Sequence, residues 1–136
     1  MTTTYPISEA YADGQVLTAA NVNQIAGGVN DLSAVQLNAQ TGTTYTLVLA
    51  DRSKTVTLTN ASAITLTIPT NASVAMAVGS QVLLYQGGAG QVTIAGAGGV
   101  TVRSQGSKLK IAGQYGVAGL IKIATDEWVA FGNLTA

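Results

Sequence analysis

Thr55-Val56-Thr57-Leu58-Thr59-Asn60 and Ile64-Thr65-Leu66-Thr67-Ile68-Pro69 alternate apolar and hydroxyl-bearing residues over two consecutive runs. A period of two sets every second side chain on one face of an extended chain, so each run predicts a β-strand with one buried face. The opposite face carries threonine instead of the Lys and Glu of an ordinary solvent-facing sheet. Hydroxyls can pack against a neighbour without desolvating charge, so part of this face is expected to meet another subunit and the rest to face solvent.

The pattern extends in both directions. Tyr45, Leu47 and Leu49 alternate upstream, in a first strand that ends at Ala50-Asp51-Arg52. Downstream, further short runs occupy 81–86, 92–94, 100–103, 108–111, 117–125 and 127–132. Pro69-Thr70-Asn71, Gly87-Gly88-Ala89-Gly90, Gly96-Ala97-Gly98-Gly99, residues 104–107 and Asp126 supply turn chemistry between them. About eight or nine short strands with turn signals every ten residues or so predict a mainly β domain over 39–136, a sandwich, a jelly roll or a barrel-like roll. Thr59-Asn60-Ala61-Ser62 returns as Thr70-Asn71-Ala72-Ser73. The echo is too brief for a solenoid repeat and reads as a reused turn.

Residues 1–38 read differently, as an arm followed by one short helix. Thr18 is suited to an N-cap after the turn residues Asp13-Gly14. Val22, Ile25, Val29 and Leu32 then follow at spacings of three, four and three, two heptads of an apolar seam. Two heptads interrupted by Gly27-Gly28 are too weak to hold a coiled coil alone. The stripe fits docking on its own domain and fits meeting the same helix of neighbouring subunits equally well.

Composition narrows the chemistry. Of 136 residues only 9% are charged, against roughly a quarter in soluble domains, and six basic residues balance six acidic ones. Zero net charge argues against a nucleic-acid partner, whose phosphates require clustered Lys and Arg. It also favours self-association in a chain that is 47% hydrophobic. The absence of His and Cys removes imidazole bases, thiol nucleophiles and the ligands zinc prefers. Ser53-Lys54 and Ser107-Lys108 are neighbours in sequence whose side chains point apart, and they read as turn residues. Asp51 and Asp126 are the carboxylates left for an acid-base depolymerase, and turn chemistry explains both more simply. The Gly-rich stretch at 87–99 lacks the Lys-Ser/Thr ending and the helix of a phosphate loop. Trp128 is expected in a core or subunit interface before a sugar platform. No catalytic residue, cofactor or metal is expected. No apolar run is long enough for a membrane span, and Met1–Pro6 has no basic segment leading an apolar one, so synthesis in the cytoplasm without a membrane partner is expected.

Three blocks carry a family resemblance. Tyr5-Pro6 with Gly14-Gln15-Val16-Leu17-Thr18-Ala19-Ala20-Asn21-Val22-Asn23 resembles the start of many phage fibre and minor structural proteins. Asn38-Ala39-Gln40-Thr41-Gly42-Thr43-Thr44-Tyr45-Thr46-Leu47 is similar to the entry of a β-module of phage fibres and capsid-surface proteins. So is the close, Lys122, Ala124-Thr125-Asp126-Glu127-Trp128 and Gly132-Asn133-Leu134. The resemblance implies a homotrimeric bacteriophage virion surface protein and carries over no catalytic residue. Tail fibres hold the module within longer polypeptides, so a self-contained chain of this length fits a capsid decoration (cement) protein or short head fibre better. On that reading the arm, with Tyr5, Pro6, Ile7 and Tyr11, lies on the major capsid protein at the outer surface of the shell. Val22, Ile25, Val29 and Leu32 then gather the trimer, and the β domain projects. The rival expectation is a tail-associated fibre that engages host surface glycans.

Overall fold

Residues 34–136 are described by the computed structural model. The chain divides into two units, Met1–Ala34 and Val35–Ala136, and every strand described lies in the second. In chain order these are β1 (Leu37–Gln40), β2 (Thr44–Thr46), β3 (Thr55–Leu58), β4 (Ile64–Ile68), β5 (Gln81–Gln86), β6 (Val92–Gly96), β7 (Thr101–Ser104), β8 (Lys110–Ile111), β9 (Val117–Ala124), β10 (Glu127–Gly132) and β11 (Leu134–Thr135). They form a six-stranded sheet ordered β1-β3-β5-β9-β10-β7 and a five-stranded sheet ordered β11-β8-β6-β4-β2. The mainly β, two-sheet architecture is the expected one.

The two alternating runs form β3 and β4, yet these strands are not partners. They lie in different sheets. From β1 to β8 the chain changes sheet with every strand. β1, β3 and β5 make one parallel ladder, and β2, β4 and β6 make another. Parallel neighbours require a crossover. In each sheet that crossover is a strand of the other, so the chain winds as a flat coil. β9 then runs antiparallel to β5 and returns as the expected hairpin with β10, which closes parallel to β7. Two local expectations fail. A strand precedes the first one read from the sequence: β1 starts at Leu37, before residue 39, and pairs with β3. Leu49 does not extend the first strand but enters a 3₁₀ turn, Leu49–Asp51, and is exposed.

Alternate residues of both sheets point inward and pack into one core. Val56, Leu58, Leu84 and Leu120 come from the six-stranded sheet, and Ile64, Leu66, Ile68 and Ile94 from the five-stranded one. Each such side chain contributes about 1.5–3 kcal/mol by leaving water. The Gly-rich turn after β5 stacks directly on the corner after β3. Gly90 N–H donates to Asn60 O at 2.8 Å, and a Cβ on Gly90 would collide with the Ser62 carbonyl. Glycine is required there by the closeness of two coils.

Candidate interaction face

The outward face of the six-stranded sheet is apolar. Ladder register places Leu37, Thr55, Leu83, Gly119 and Phe131 in one row across five strands. Ala39, Thr57, Tyr85 and Val117 form the row on one side of it, and Gln81, Ile121, Val129 and Arg103 the row on the other, so the apolar residues are central and Gln81 and Arg103 fringe them. Leu37 is 69% exposed, Phe131 45%, Val117 41% and Leu83 39%. The Phe131 ring lies over Gly119, where a Cβ would strike it. The ring therefore lies along the sheet and widens the apolar surface. Arg103 and Glu127 pair at the β7 side of this face. A shallow hollow lined by Gln105, Lys108, Val129, Phe131 and Leu134 adjoins it. Parallel ladders are normally covered on both sides, and a contiguous apolar patch on a folded surface marks an interaction site.

The five-stranded sheet presents the opposite chemistry. Its outward rows are Thr44, Thr65, Thr93 and Lys110, then Thr46, Thr67 and Ala95. The hydroxyl face read from the sequence is thus divided. Thr65 and Thr67 belong to this polar surface, whereas Thr55 and Thr57 sit half-buried among the apolar rows of the other sheet.

The candidate chemical groups are held in structural roles. Asp51 is buried and accepts from Asn38 Nδ2 at 2.7 Å, the Tyr45 hydroxyl at 2.7 Å and the Val48 N–H at 2.9 Å. Burial, then the hydrogen bond and charge of Asp51, push the Tyr45 phenol up to about 12. Asp126 belongs to a separate group, accepting from the Asn71 N–H at 2.7 Å. Ser53 and Ser107 adopt left-handed backbone, with φ of 62° and 55°, as turn residues do. Trp128 is buried in the core. Among the described residues no group of three acidic side chains is placed to hold a metal ion, and no helix is long and apolar enough to cross a membrane.

Sequence reasoning missed Leu37, Leu83 and Phe131 as a surface, because their union depends on which strands become neighbours. It also missed Lys122, which alternation places inward but which looks like an ordinary polar strand residue. The seam residues Val22, Ile25, Val29 and Leu32 and the arm residues Tyr5, Pro6, Ile7 and Tyr11 lie outside the described residues. No protein-family model matches the chain, and no curated protein matches it in sequence.

Proposed function

We propose that this chain is a structural protein of a bacteriophage particle, a homotrimeric capsid decoration protein bound to the outer surface of the shell. The observation that carries the reading is the apolar outward face of the six-stranded sheet, exposed at Leu37, Leu83, Val117 and Phe131. A surface of this kind gains free energy when a second copy or another protein covers it. The charge-poor composition, lacking His and Cys, and the resemblance to phage surface proteins support the same reading. Trimer formation uses the apolar face, and attachment to the major capsid protein uses the N-terminal region. Binding to the assembled shell and not to its dissociated subunits stabilises the shell by mass action.

Particles stripped of the protein test this. Heating stripped, intact and re-decorated particles together should show loss of heat resistance on stripping and its return on adding the purified protein. Stripped particles as robust as intact ones would refute cementing. Labelled protein seen by electron microscopy only at the tail would favour the fibre reading instead.

A further inference from the structure

Lys122 points inward from β9 and is 2% exposed. Its Nζ donates to Asn71 Oδ1 at 2.6 Å and to the Met76 carbonyl at 2.7 Å, and lies 6.0 Å from the centroid of the Trp128 ring. Among the described residues no carboxylate lies within ion-pairing distance of it; the ion pair found there joins Arg103 and Glu127. An ammonium held in an interior by neutral acceptors alone is costly, and a reaction that removes its charge is favoured by the surroundings.

The carboxamide beside the amine offers that reaction. Both partners are fixed. Asn71 is held by its own N–H on Asp126 Oδ1, at 2.7 Å. Lys122 is clamped through its backbone, its N–H donating to Ser80 O at 3.0 Å and its carbonyl accepting from the Gly79 N–H at 2.8 Å. On the other side it stands opposite Trp128 in the β9–β10 ladder. Holding two reacting groups in contact replaces an encounter in solution with a unimolecular step.

We propose that Lys122 and Asn71 join through an intramolecular amide bond. Nζ first passes one proton to Asn71 Oδ1, which it already contacts at 2.6 Å, and the freed amine then attacks Cγ: the Nζ–Cγ bond forms and the Cγ–Nδ2 bond breaks. That proton and a second from Nζ pass to the departing nitrogen, which leaves as ammonium. Atoms and charge balance without an oxidant or co-reactant. The bond ties the corner after β4 to β9 and closes a loop of the chain between residues 71 and 122. A cross-link of this kind restricts the unfolded chain as a disulfide does, in a protein that has no cysteine.

Mass spectrometry of the full, denatured chain decides the matter. The expected mass is that of the sequence less one ammonia. Tryptic digestion should leave Lys122 uncut and yield a branched peptide joining its segment to that of Asn71. Lys122→Arg and Asn71→Ala should each restore the full mass. A full mass for the parent chain with cleavage after Lys122 overturns the bond. So does an ammonia deficit that persists in Asn71→Ala, which places the loss at another amide. Should either variant fail to fold, the parent chain's mass and its branched peptide still give the answer.

Discussion

Asp51 organises its corner as a single buried acceptor for three donors, drawing Asn38 from β1, Tyr45 from β2 and the backbone of Val48 together. The consequence is measurable through Tyr45, whose phenol is pushed from 10.0 to about 12. Between those values the unfolded chain gives up the Tyr45 proton while the folded chain keeps it. The unfolded state then binds fewer protons, so stability falls as pH rises through this window and is fully present below it. Tyr45→Phe should flatten the fall in the urea midpoint between pH 10 and about 12 relative to the parent chain; an equally steep fall in the variant would sink the assignment. The sequence identified Asp51 as a turn residue, and it is one. That it is buried was not legible, because its three donors come together only when the first coil closes. The same limit hid Lys122. Period two places it inward, but the sequence alone does not say that Asn71 and Met76 will be waiting there.

Strands were legible and their partners were not. Alternation located β3, β4, β5 and β6 closely, since one buried face per strand is a local property. Pairing is not local. The coil repeats in space without repeating in sequence, because its turns differ in length, from Leu37 to Thr55 in one and from Thr55 to Leu83 in the next. The echo of Asn60 in Asn71 misleads for the same reason. Asn60 Oδ1 closes its own turn by accepting from the Ser62 N–H, whereas Asn71 Oδ1 accepts from Lys122. Where coils touch, glycine is obligatory. Gly90→Ala should cost about 1–3 kcal/mol, since its Cβ meets backbone that cannot step aside. Gly98→Ala, with open space around it, should stay within about 0.5 kcal/mol of the parent. Denaturant unfolding of the two variants side by side checks the contrast, and equal stabilities would refute the stacking argument.

The β unit, Val35–Ala136, has one largely apolar and one hydroxyl-bearing sheet face, and a single stretch of chain, β3 to β4, contributes to both. Leu83→Lys, at the centre of the apolar rows, should leave folding intact and dissociate the proposed trimer. Thr65→Lys on the opposite sheet should leave assembly unchanged. Sedimentation velocity reads both, and a trimer that survives Leu83→Lys would move the subunit contact elsewhere. The unequal coils matter at this scale too. The rungs between neighbouring strands stay paired while the corners differ in length: residues 59–63 make one corner and the far longer 69–80 the next. Gly98 and Gly99 form another corner, with open space around both. A foreign peptide spliced between them would lengthen that corner and leave each rung where it is, which makes the fold a natural carrier for grafted epitopes.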